Sequence, residues 1–244
     1  MIEIDKEIYE YVGEIKNSRK LNSKIVLEAE RGKFRITKRS VFSDANAILK
    51  LSKYGIVPVV LVTANQILEP YIDFNTIALS LQSIAKLLRE IHKVHSDNRT
   101  LVHGDFSRFN TSYSNDLAKC FDYEYAHWDT PYVDIGRIIL RECKSIDDVL
   151  VFFNNYVSKL PPLAELRKGL MDFCDWQNKI RREKKTAYSE VPLARKRRLM
   201  SAENNLESVL CAFNSKVKDS ETLALEIDKY EYLFKNNLRY NSNP

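Results

Sequence analysis

The chain has 244 residues, 44% of them hydrophobic and 29% charged, with only six glycines, seven prolines and a formal net charge of +5. That is enough apolar material for one large domain or two lobes, and the scarcity of glycine and proline predicts a helix-rich protein. Met1-Ile2-Glu3-Ile4-Asp5 is acidic and lacks an apolar h-region, and no run of about 18 apolar residues occurs, so neither a signal peptide nor a membrane span is expected. Cys120, Cys143, Cys174 and Cys211 form no C-x-x-C pair and no histidine cluster stands at zinc spacing, which fits reduced thiols in a cytoplasmic protein. The mild positive charge suits nucleoside triphosphates, anionic substrates or acidic surfaces, without separating them.

Residues 1–20 are polar and mixed, and Tyr9, Tyr11, Val12 and Ile15 fit either a first strand or a short helix. From Lys24 to Lys38, Ile25-Val26-Leu27 and Phe34-x-Ile36 flank Arg31-Gly32-Lys33, which predicts a β-hairpin turning at the glycine. Strand alternation puts Phe34, Ile36 and Lys38 on one face. Ser43 to Tyr54 reads as a helix ended by Gly55, with Ala45, Ala47, Ile48 and Leu51 available for packing. Ile77, Leu81, Ile84, Leu88 and Ile91 recur at steps of four and three, so Asn75 to His95 is predicted to be an amphipathic helix. His92 and His95, near its end, read as surface or capping groups rather than metal ligands.

Chemistry concentrates in Leu101 to Glu124, LVHGDFSRFNTSYSNDLAKCFDYE. Leu101-Val102 closes a buried segment, Gly104 permits a sharp turn, and Asp105 is thereby presented on a loop. Ser114-Asn115-Asp116 is turn-forming, so Asn110 to Tyr113 and Ala118 to Phe121 are expected to pair as a small hairpin that carries Asp122 back beside Asn110. Phosphoryl transfer needs a carboxylate to orient and accept the proton of an attacking hydroxyl, and oxygen ligands to hold Mg²⁺ on the nucleotide. Asp105, with Asn110 and Asp122, is a set of that kind.

The spacing matches the protein-kinase pattern H-R-D-x-x-x-x-N followed by D-F-G, with His103-Gly104-Asp105 and Asp122-Tyr123-Glu124 in those places. It resembles the aminoglycoside phosphotransferase and choline kinase branch of the kinase-like superfamily, over roughly Lys24 to Arg137. The resemblance implies an α+β, two-lobed protein-kinase-like fold: a small β-rich N-lobe over residues 1–73 and a larger helical C-lobe over residues 74–244. It implies ATP as donor, Mg²⁺ as cofactor, Asp105 as catalytic base, and Asn110 and Asp122 as metal ligands. His103 and Glu124 would support the loop, and Asp134, in Pro131-Tyr132-Val133-Asp134-Ile135, would brace it. In the N-lobe, Ile36 would touch the adenine and Lys38 would reach the phosphates. Ile67-Leu68-Glu69-Pro70-Tyr71-Ile72 resembles the hinge, placing Glu69 and Tyr71 at the adenine edge. Asp44 stands where the family has the glutamate that pairs with the strand lysine; as aspartate it fits a helix N-cap equally well. The stretch Lys16 to Lys24, at the place of the phosphate loop, has no glycine and four cations.

Beyond Ile138 the pattern is helical, with Val149 to Val157 and Leu163 to Ile180 separated by Pro161-Pro162. A basic run follows: Lys179, Arg181, Arg182, Lys184 and Lys185, then Arg195, Lys196, Arg197 and Arg198. It is either a solvated face or an electropositive rim for an anionic acceptor, such as a sugar acid or phosphorylated glycan, or for a membrane surface. With only Trp176 and Tyr188 as aromatic neighbours, nucleic-acid stacking is poorly supported. A rival to the kinase reading is a pseudokinase-like module that binds nucleotide or a partner without turnover.

Overall fold

The computed structural model describes residues 3–21, 24–72, 76–143, 146–157 and 163–183. The first unit is an antiparallel five-stranded sheet of order β1-β2-β3-β5-β4, built from β1 (Ile15–Leu21), β2 (Lys24–Ala29), β3 (Gly32–Lys38), β4 (Leu61–Val62) and β5 (Gln66–Pro70). The ambiguous amino terminus is both things it resembled: helix α1 (Lys6–Val12) and then β1. The hairpin of β2 and β3 turns at Gly32, as its sequence predicts.

Alternation divides this sheet into two faces with different fates. Ile25, Leu27, Ala29, Phe34, Ile36 and Leu68 form one apolar face, closed by Ile8 and Val12 of α1. These two residues are four apart, so they share one side of the helix. The expectation that Ile36 and Lys38 face a nucleotide is therefore reversed. Ile36 is buried under α1, and Lys38, of the same parity, ends exposed. The opposite face carries the cross-strand row Arg19, Val26, Arg35 and Glu69, and beside it Lys24, Thr37 and Ile67.

On that second face Arg35 Nε and Nη2 both donate to Glu69 Oε2, at 3.0 and 2.7 Å. The Glu69 side chain is 2% exposed, and burial raises its pKa against the opposing charge of Arg35. Glu69 is thus a buried ion-pair partner under the sheet. At the expected hinge, Tyr71 donates its N–H to Lys33 O at 2.9 Å, and its ring lies under the Lys33 ammonium. Pro70 has no N–H to offer.

The second unit is mainly helical and shares its core with the sheet. Helix α2 (Ala45–Leu51) is N-capped by Asp44, whose Oδ1 accepts from Ala47 N at 2.7 Å and from Trp128 Nε1 at 3.3 Å. That settles Asp44 as a cap. Helix α3 (Leu81–His92) starts later than its periodicity implied, at a Ser80 cap, and residues 76–80 before it form no regular element. Next come β6 (His95–Ser96), β7 (Arg99–Val102), β8 (Thr111–Ser114), β9 (Leu117–Cys120) and β10 (His127–Asp129), then α4 (Tyr132–Arg141), α5 (Ile146–Tyr156) and α6 (Leu163–Glu183). Strands β10, β7 and β6 form one small sheet and β8 with β9 another. Ile48, Leu51, Ile67, Leu88, Phe106, Tyr123, Ile138 and Phe152 belong to one core running from the sheet through α2, α3, α4 and α5. This is the α+β, two-lobed arrangement expected from the sequence.

The expected lobe boundary near Asp73, the basic residues Arg195 and Arg197, and the final helix lie outside the described residues. Arg181 and Arg182 fall on the last turn of α6, with side chains outside that set. Among the described residues, no helix is long and apolar enough to cross a membrane.

Removing one member of a buried ion pair strands the other charge, whereas replacing both with apolar groups is often neutral. Arg35→Met should therefore destabilise the fold by about 3–5 kcal/mol in urea unfolding, and Arg35→Met with Glu69→Leu should recover most of it.

Candidate active site

The site is organised from below by Asp134, on the first turn of α4 and fully buried. Its Oδ2 accepts from His103 N at 2.7 Å and its Oδ1 from Gly104 N at 2.9 Å. His92 Nε2 lies 3.3 Å from Oδ2, and Tyr156 OH is 2.8 Å from His92 Nδ1. His92 is therefore an interior member of this network and not the surface group expected. Burial by itself would raise the Asp134 pKa; the hydrogen bond and charge of His92, with those of His103, override it and hold it below its ordinary 3.8.

These contacts dictate the loop after β7. Gly104 has φ +78°, and a Cβ there would lie 2.5 Å from Tyr125 O. Its carbonyl accepts from Trp176 Nε1 of α6 at 2.6 Å, so α4 and α6 both hold this residue. His103 is buried; its Nε2 lies 2.9 Å from Phe121 O, and its ring meets Phe106 edge-on. It ties the loop to the segment after β9, the structural role expected of it.

Asp105 follows, partly exposed. Arg137, one turn after Asp134 on α4, donates Nη1 to Asp105 Oδ1. Asn110 Nδ2 donates to Asp105 O at 2.9 Å and lies 3.3 Å from Oδ2. The hairpin β8–β9 turns through Asn115 and Asp116, both at positive φ. Its pairing ends with Phe121 N donating to Asn110 O at 3.0 Å, which brings Asp122 back toward Asn110 as expected. Asp122 sits at φ +74°, a sparsely populated conformation that surrounding contacts must enforce.

Those contacts are specific. Tyr123 is buried with its OH 3.1 Å from Val57 O, and Gly55 makes room for it, since a Cβ there would lie 1.7 Å from that oxygen. Glu124 gives its carbonyl to Ser40 N at 3.0 Å, linking the segment to the loop after β3. Above, Lys24 Nζ donates to Asp122 Oδ1 at 2.7 Å, with the two side chains only 17% and 22% exposed.

The expected residues thus divide. Asp105, Asn110, Asp122, His103 and Asp134 converge. Glu69 lies under the sheet with Arg35, Asp44 caps α2, and Ile36 and Lys38 face away. The sequence assigns no site role to Arg35 or Arg137, marks Lys24 only as one of four cations at the place of the phosphate loop, and reads His92 as a surface or capping group. Arg137 was legible in principle, because it stands three residues from Asp134 and so shares its helix face.

No protein-family model matches this chain, and no curated protein does. Solved structures do. Choline kinase LicA from Streptococcus pneumoniae superposes with a TM-score of 0.55 over 83% of this chain and 97% of its own, at 14% identity. The fold is that of the choline kinases. A choline/ethanolamine kinase family protein from Mesorhizobium loti gives 0.50 over 90% and 93%, at 12% identity. At these identities the likeness is one of architecture.

A carboxylate with a lower pKa folded than unfolded stabilises the fold above its unfolded pKa and loses that contribution as pH falls through the folded value. Wild-type protein should therefore lose melting temperature more steeply than Asp134→Asn between about pH 5 and pH 3, while the variant melts lower at neutral pH.

Proposed function

We propose that the chain is a phosphotransferase that moves the γ-phosphoryl group of ATP to a hydroxyl of a small molecule, with Mg²⁺ as cofactor. The observation that supports it best is the convergence of Asp105, Asn110 and Asp122 on two strained or braced segments tied to one buried carboxylate.

Each residue has a role suited to its setting. Asp105 accepts the proton of the attacking hydroxyl. Arg137 and Asn110 hold its carboxylate in one orientation, so the base is positioned before the acceptor arrives. The donor set suits magnesium, which takes one or two protein oxygens and completes its sphere with phosphates and water. Asn110 uses its amide nitrogen on Asp105, and its carbonyl oxygen is the natural ligand; Asp122 has one oxygen on Lys24 and a second to offer. Among the described residues, no group of three or more His, Cys, Asp or Glu could hold a metal ion. When bound, the ion would neutralise charge on the transferred phosphoryl.

For the acceptor, the basic run favours an anionic sugar or glycan. It begins at Lys179, three residues after Trp176, which puts its start about 4.5 Å along α6 from the residue that bonds the catalytic loop. One observation favours a cationic amino alcohol instead: Asp172, one turn before Trp176 on α6, lies close enough to Asp129 and Asp175 for their charges to act on it. An acceptor screen with matched sugar acids and amino alcohols separates the two. Under the anionic reading, Arg181→Gln with Arg182→Gln raises the acceptor KM and lowers its salt dependence; under the cationic one, Asp172→Asn with Asp175→Asn does so.

Asp105→Asn should abolish turnover, by about a hundredfold or more, while leaving nucleotide affinity near wild type. Asp122→Ala should remove the magnesium-dependent part of the thermal shift with ATP. Turnover surviving in Asp105→Asn removes the base assignment, and magnesium-dependent nucleotide binding without turnover on any acceptor favours the non-catalytic binding module.

A further inference from the structure

We infer that Lys24, the first residue of β2, supplies the cation for the nucleotide's phosphates that other kinase-like proteins place on the third strand. The inference rests on the phosphotransferase reading above and names a residue which that reading lacks. In protein kinases a strand-β3 lysine pairs the α- and β-phosphates. Here the only lysines of β3 are Lys33 and Lys38. Lys33 lies over the Tyr71 ring with its ammonium 3.5 Å from Glu28, and Lys38 is exposed on the parity of the face that α1 closes. The other β3 positions on the side that carries Lys33 are Arg35 and Thr37. Arg35 is committed to Glu69. Thr37 is 2% exposed, and its buried hydroxyl has no hydrogen-bond partner.

Lys24 stands directly opposite Thr37 in the β2–β3 register. A lysine there starts one strand over from the Thr37 position and reaches the same space with its four-carbon stem. It demonstrably arrives, because its ammonium sits on Asp122 Oδ1, the oxygen-bearing side chain at the end of the metal-ligand hairpin. This placement also accounts for the absence of glycine between Lys16 and Lys24. A glycine-rich turn lets backbone N–H groups approach phosphates closely. Lys24, at the start of β2, brings a full positive charge on a long side chain in their place. Before the nucleotide binds, Asp122 neutralises that charge; with nucleotide present, Lys24 has phosphate oxygens as partners and Asp122 is released to the ion.

The test is equilibrium binding of a fluorescent ATP analogue, with and without Mg²⁺, to wild type, Lys24→Met, Lys38→Met, and Lys24→Gly combined with Thr37→Lys. Apo-state melting temperatures report folding for each. Losing a charge-assisted contact to phosphate should weaken binding about ten- to a hundredfold in Lys24→Met, and Lys38→Met should bind as wild type does. The double variant, which returns the lysine to β3, should recover at least part of the loss. Wild-type affinity in a folded Lys24→Met, or a loss in Lys38→Met instead, overturns the assignment of Lys24 and leaves the phosphotransferase reading standing. No nucleotide binding by wild type overturns both. If Lys24→Met fails to fold, the double variant decides: folded and binding supports the assignment, folded and not binding overturns it.

Discussion

A single buried carboxylate carries the loop that presents Asp105. Asp134 is cut off from water, and it stays charged because two backbone N–H groups and an imidazole point at it. Each of those donors belongs to a different requirement. The N–H groups of His103 and Gly104 belong to the turn that presents Asp105, and His92 belongs to α3, so the brace joins helix, loop and α4 at one point. An unmet charge there would be costly, which makes the loop conformation a condition of folding rather than a late refinement. Arg137 extends the logic one helical turn outward, from the carboxylate that shapes the loop to the carboxylate the loop displays.

Charge in the cleft is arranged in pairs that differ in permanence. Arg35 and Glu69 sit deep, with one oxygen of Glu69 left without a hydrogen-bond partner, and their separation would expose the remaining charge to an apolar setting. Lys24 and Asp122 sit nearer the surface and join β2 to the hairpin segment below. That second pair can exchange partners at smaller cost, since both groups keep some contact with water. Arg35 is thus fixed as architecture, and Lys24, in the adjacent row of side chains on the same face, holds the more exchangeable of the two contacts.

Much of this was readable before any coordinates. The apolar period of α3, the hairpin turning at Gly32, the Asn115-Asp116 turn, and the spacing of Asp105, Asn110 and Asp122 are local features. Each follows from backbone preference or side-chain period within a few residues. Their joint spacing also carried the resemblance to the kinase-like family, and that resemblance implied the fold and Asp134 as a brace. The failures share a cause of a different kind. Alternation sorted β3 into two faces correctly, but period alone does not say which face meets the cleft; that depended on α1, whose Ile8 and Val12 lie in a stretch with no clear pattern of its own. His92 looked like a helix-end group because its partner Tyr156 is 64 residues away.

The sequence by itself determined the elements, their turns and the set of oxygen-bearing residues at kinase-like spacing, because those depend on neighbours along the chain. Only the tertiary structure decided which cation shares the site. Lys24 and Asp122 are 98 residues apart, and no local period relates them. What brings them together is the sheet's choice of face, made when α1 covers Ile36 and its neighbours and leaves Thr37 and Lys24 turned toward the hairpin.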